Sequence, residues 1–111
     1  MGLVSIPGAM SPTEILNACN YGADFVKIFP SVSVGPKYVK QVRGPLNHIR
    51  LLAVGGINES NIVEYMDAGC CGAGVGGCLV NKTWISNGDF DKITALAAQF
   101  ISNLKKGGYG V

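Results

Sequence analysis

Four short apolar runs punctuate the chain, and between them apolar residues recur every three or four positions. The runs are residues 3–6 (L-V-S-I), 25–30 (F-V-K-I-F-P), 51–54 (L-L-A-V) and 73–75 (A-G-V), each bounded by glycine or proline. Runs of this length between turn residues read as strands. After the first, Ser11 fits an N-cap, Pro12 the first helical position and Glu14 the third, a capping box. Ile15, Leu16 and Cys19 give that helix its apolar side, and Gly22 is its stop. Gly35 and Pro36 open a second helix with Tyr38, Val39 and Val42 inward, closed by Gly44 and Pro45. Asn58 caps a third, carrying Ile62, Val63, Tyr65 and Met66 and ending at Gly69. A half-turn or the beginning of a short helix is expected over 78–80, and residues 107–111 form a frayed tail. The strongest amphipathic signal is the last helix, about 89–105, capped by Asp89 and carrying Phe90, Ile93, Leu96, Ala97, Phe100, Ile101 and Leu104.

The strand–helix unit occurs four times, with strand starts 22 to 26 residues apart. That alternation predicts an α/β fold with a parallel sheet and helical crossovers, and the near-continuous apolar strands predict burial on both faces. Both an open doubly wound sheet and part of a closed barrel satisfy it. A complete (β/α)₈ barrel takes roughly 200 residues or more; this chain has 111, expected to make one domain over 1–111.

Composition narrows the function classes. Charged residues are 14% of the chain against 48% hydrophobic, and the net charge of +2 includes no basic cluster beyond Lys105 and Lys106. Nucleic-acid binding therefore has no support. The apolar runs are too short for a bilayer, and the start of the chain shows no secretory leader. Cys19, Cys70, Cys71 and Cys78 lack ligand spacing, and the single His48 lies apart from them, so no metal site is expected. Four reduced thiols point to a cytoplasmic setting.

The candidate chemistry gathers at the carboxyl ends of the strands, where parallel α/β folds place their sites. In F-V-K-I-F-P, alternation puts Phe25, Lys27 and Phe29 on one face and Val26 and Ile28 on the other. Desolvation between two rings favours a neutral amine, which can attack a carbonyl and form a Schiff base. The plainer alternative is a lysine that snorkels to water. Gly55-Gly56 and Gly76-Gly77 end the next two strands. Bare backbone N–H groups there could hold a phosphate, or the glycines could simply make tight βα turns. No carboxylate falls at a strand's carboxyl end, so no general base is evident.

With these residues in view, the chain resembles the 2-keto-3-deoxy-6-phosphogluconate/4-hydroxy-2-oxoglutarate aldolase family. The matching pieces are I-P-G-A-M-S-P-T-E-I, G-A-D-F-V-K-I-F-P, G-P-K-Y-V-K, P-L-N-H-I, V-G-G-I-N-E-S-N and A-G-V-G-G-C-L-V. The resemblance implies a class I aldolase, a lyase of the Entner–Doudoroff type, on a TIM barrel of which this chain supplies strands 5–8, a C-terminal half-barrel. It implies Lys27 as the Schiff-base residue, with Phe29, Pro30 and Val54 against the keto acid. It places Gly55, Gly56, Gly76, Gly77 and Cys78 on the phosphate loops. Where the family often has threonine and serine hydroxyls, this chain has Val54 and Gly77-Cys78. The general-base glutamate belongs to strands that this chain lacks, so weak activity is expected of it alone. No cofactor is implied. The partners implied are a small keto acid or phosphorylated sugar acid and further copies of the chain, as a trimer or by association of half-barrels. Two other readings stay open: a non-catalytic phosphate-binding half-barrel, and another phosphate-binding barrel enzyme, such as a thiamine-phosphate-synthase-like protein.

Overall fold

Three parallel strands in the order β1-β2-β3 carry the fold: β1 (Val26–Ile28), β2 (Leu51–Val54) and β3 (Gly72–Gly74). The computed structural model describes residues 2–110. Helix α1 (Pro12–Asn20) precedes the sheet, α2 (Ser31–Arg43) and α3 (Ile62–Asp67) form the crossovers, and α4 (Lys82–Asn87) and α5 (Phe90–Lys106) follow β3.

The register explains both faces of the sheet. Val26 pairs with Leu51 and Ile28 with Ala53, and all four are buried, Ile28 completely. They face the helices together with Ile15, Val39, Val42, Ile62, Tyr65, Phe100 and Leu104. On the opposite face Lys27 stands beside Leu52, which pairs with Gly72, while Val54 pairs with Gly74. A Cβ at Gly72 would lie 2.9 Å from Leu52 Cδ2, and one at Gly74 would lie 3.0 Å from Val54 Cγ2. The two β3 glycines thus make room for the larger side chains beside them. This second face is only half-buried.

Local signals act as their chemistry dictates. Ser11 Oγ accepts from the Glu14 N–H at 3.2 Å, and Glu14 Oε1 accepts from the Ser11 N–H at 3.0 Å, with Pro12 opening α1. The Ser11 N–H and the Ser11 hydroxyl, both donating to Glu14 Oε1, hold the Glu14 carboxyl below its ordinary range. Gly35, at φ +80°, breaks α2 just before Pro36, so the helix expected there is preceded by a turn begun at Ser31.

The first expected strand, residues 3–6, is the main correction. Residues 3–6 run beside β1, where Ser5 O accepts from the N–H groups of Asp24 and Phe25, and Pro7 O from that of Lys27. The pairing amounts to a single bridge, Gly8 to Lys27. Leu3 is 81% exposed, and Val4 and Ile6 are exposed as well. Among the described residues no helix covers them, and these side chains gain little burial to support a ladder. Two smaller differences are a shift of the last strand to 72–74 and the place of the short helix α4, which begins at Lys82, just beyond residues 78–80. Asn81 caps α4 by accepting from the Trp84 N–H, and Gly88 ends it at φ +72°. Phe100 and Leu104 are buried in α5, whereas Phe90 and Ile101 of its predicted apolar face are exposed.

Candidate functional site

A cleft of about 540 Å³ opens where the three strands end. Phe29 enters it from the end of β1, Val54 to Asn58 from β2, and Gly74 to Cys78 from β3. Seven of the nine predicted site residues line it together: Phe29, Val54, Gly55, Gly56, Gly76, Gly77 and Cys78. Lys27 and Pro30 stand just outside. Lys27 Nζ lies 4.7 Å from the centre of the Phe29 ring, which joins it to the cleft edge through a cation–π contact. Lys27 is half-buried and Phe29 is 54% exposed, so the amine is open to a ligand entering beside the ring.

Pro30, the N-cap of α2, shapes the wall instead of lining it. A Cβ at Gly55 would lie 2.9 Å from Phe29 Cδ2 and 3.0 Å from Pro30 Cα, and Gly55 sits at φ +96°. Gly56, at φ +74°, would collide with Val32 in the same way. The first glycine pair is therefore explained by packing and left-handed backbone alone.

The second pair is different. Gly76 and Gly77 have nothing within 4 Å of a built Cβ, and neither adopts positive φ. Among the described residues, the N–H groups of Gly56, Ile57, Gly76, Gly77 and Cys78 have no hydrogen-bond acceptor. Five backbone donors without acceptors thus lie around one cleft, the kind of groups with which a concavity can hold an anion.

Three braces hold the cleft. Asn58 Oδ1 accepts from the Ser60 and Asn61 N–H groups, while Asn61 Oδ1 accepts from the Asn58 N–H at 2.8 Å and Asn61 Nδ2 donates to Gly56 O at 2.9 Å. Asn58 thus caps a turn, and α3 starts four residues later at Ile62, with Asn61 instead of Asn58 at its N-cap position. The Cys78 thiol donates to Ile57 O at 3.6 Å, linking the two glycine loops. Ser31, fully buried, sits behind the wall. Ile57, Asn58, Gly74 and Val75 are lining residues that the sequence reading missed, although N-E-S-N carried the Asx-turn signal for Asn58.

No carboxylate lines the cleft among the described residues. Asp24 Oδ2 accepts from the Ser5 N–H, Glu14 serves its cap, Asp67 receives the Tyr109 hydroxyl and Asp89 pairs with Lys92. The four cysteines are free, and His48 is exposed. Burial, with the neighbouring Cys71 adding to it, pushes the Cys70 thiol up to about 12.

The chain is 42% identical over 79 residues to the 2-dehydro-3-deoxy-6-phosphogalactonate aldolase of Escherichia coli (strain K12), covering 70% of this chain and 38% of that protein. A solved structure of native KDPGal superposes with a TM-score of 0.85 at 34% identity, covering 96% of this chain and 50% of that one. The thiamine phosphate pyrophosphorylase from Pyrococcus furiosus superposes more loosely, with a TM-score of 0.56 at 28% identity, over 66% of this chain and 38% of that one. The chain spans about half the length of the curated relatives it matches, or less. The profile of the KDPG and KHG aldolases matches residues 2–96, and the chain belongs to that aldolase family.

Proposed function

We propose that this chain carries the imine-forming and anion-holding part of a class I aldolase. The observation that carries the reading is the position of Lys27 Nζ, 4.7 Å from the ring of Phe29, a residue that lines the glycine-walled cleft. The Lys27 amine adds to the ketone of a 2-keto acid and water leaves, giving an imine. With the imine nitrogen protonated, the electron pair of the C3–C4 bond becomes the C2=C3 bond of an enamine and the C=N pair moves onto nitrogen, as the C4 hydroxyl loses its proton and an aldehyde departs. Protonation of the resulting enamine at C3, followed by hydrolysis, releases pyruvate and restores the amine. The substrate is 2-keto-3-deoxy-6-phosphogluconate, its galactonate epimer, or 4-hydroxy-2-oxoglutarate. Its phosphate, where present, meets the N–H groups of Gly56, Ile57, Gly76, Gly77 and Cys78. Phe29, Pro30 and Val54 form the apolar wall beside the keto acid.

The carboxylate-free cleft supports low turnover by this chain alone, because proton transfer then falls to water or to the substrate's own phosphate. The same observation favours a second reading, a phosphate-binding unit that does not turn over. The parallel strands and their open second face support a half-barrel in which residues 3–8 run at the place of strand 5 of a TIM barrel and β1, β2 and β3 at those of strands 6–8, with copies of the chain associating to cover that face. The free cysteines support a reducing, cytoplasmic setting.

Borohydride reduction in the presence of pyruvate tests the imine. A covalent adduct at Lys27, absent in Lys27→Ala, is expected; no adduct in the unaltered chain overturns the reading. Cleavage assays with the phosphorylated keto acids then separate turnover from binding alone. Sedimentation at micromolar concentration tests association, which a stable monomer would refute.

A further inference from the structure

Ser31 is the buried polar side chain of the core, fully screened from solvent. Its hydroxyl donates to Ile28 O at 2.6 Å and accepts from the Val54 N–H at 3.0 Å. The first bond holds the residue between Lys27 and Phe29, and the second holds the residue before Gly55. The β1–β2 ladder ends at Ile28 and Ala53, so one oxygen continues the pairing for one further step with a side chain.

A second stitch lies beside it. The Val32 N–H donates to Gly55 O at 3.2 Å, and the bare Gly55 is pressed against the Phe29 ring and Pro30. Behind them, the Tyr65 hydroxyl from α3 donates to Ser31 O at 3.2 Å. Burial raises that hydroxyl's pKa, so it stays a donor throughout the neutral range. Ser31 does not line the cleft.

We propose that Ser31 is a positioning residue that fixes Lys27 and Phe29 relative to the glycine loops, with Tyr65 as its backing. The proposal rests on the imine reading above for its catalytic consequence. A keto acid bearing a phosphate must reach Lys27 and the loops at once, so its reaction depends on the spacing between them. Pyruvate needs only the amine.

Ser31→Ala removes one buried oxygen and leaves every apolar contact in place. Borohydride trapping rates are measured for this variant with pyruvate and with 2-keto-3-deoxy-6-phosphogluconate, alongside the nuclear Overhauser contact between the Phe29 ring and Gly55. The expected result is a loss of about tenfold or more with the phosphorylated acid, under about threefold with pyruvate, and a weakened Phe29–Gly55 contact. Equal losses with both acids, or no loss with either, overturn the proposal. Tyr65→Phe keeps its ring packing and is expected to show the same discrimination, to a smaller extent, even if Ser31→Ala unfolds. If the unaltered chain forms no adduct with either acid, the imine reading fails by itself, and the ring contact decides: retained in Ser31→Ala, it overturns the positioning role; lost while the helical signal and cooperative unfolding persist, it upholds that role.

Discussion

The Cys78 thiol donates across 21 residues of sequence to the carbonyl oxygen of Ile57, at 3.6 Å. This bond joins the loop after β3 to the loop after β2 at the cleft. Cys78→Ala leaves that oxygen short of a donor at a half-buried position, and a cost of about 0.5–1 kcal/mol is expected. Cys78→Ser restores a donor and should recover most of it. Urea unfolding of the three proteins measures both.

The two glycine pairs should respond in opposite ways to alanine. Gly55→Ala forces a side chain against Phe29 and Pro30 at φ +96°, and a loss of about 2 kcal/mol or more is expected. Gly76→Ala meets nothing within 4 Å and needs no unusual backbone. It should be neutral or stabilise by about 0.4–1 kcal/mol through the unfolded chain. Thermal melts at matched concentration distinguish the two.

Arg43 clamps the turn between α2 and β2 by donating to the carbonyl oxygens of Leu46, Asn47 and Ile49. Its stem also fills the space beside Gly69. Arg43→Ala should cost about 2 kcal/mol, and Arg43→Lys should recover only part of that, because all three bonds come from Nη1 and lysine's ammonium stands one bond short of its position. Hydrogen exchange at residues 46–50 localises the loss.

Cys70 sets an alkaline limit. Its thiol is raised from an ordinary value of 9.0 to about 12 in the fold, so the unfolded chain gives up this proton first. The contribution is intact below pH 9 and is lost progressively as pH rises from about 9 to about 12. Denaturant midpoints should fall across that window, and Cys70→Ala should flatten the fall. At pH 8, a thiol reagent should label the exposed Cys71 long before Cys70.

Much of the fold could be read from local chemistry, because the decisive signals were local. Ser11-Pro12-Glu14 and Gly35-Pro36 each act within a few residues of themselves, whereas Gly55 and Gly56 make room for Phe29, Pro30 and Val32 some 25 residues away. The strand at residues 3–6 misled because an apolar run states a preference for burial, not whether a covering layer exists. Ser31 went unnoticed for the converse reason. A serine after F-P looks like a helix cap, and only tertiary pairing reveals that it joins two strands. Lys27 was placed on its face by strand alternation, but its position beside the cleft, not in its wall, depends on how Phe29 turns at the end of β1.

Gly76 and Gly77 leave unoccupied volume that neither packing nor backbone geometry demands. A side chain can therefore be installed there without disturbing the frame, while at Gly55 and Gly56 it cannot. The rim of this cleft has one rigid lip and one that accepts redesign: serine, asparagine or lysine at 76 or 77 could retune which acid is favoured, leaving the scaffold beneath untouched.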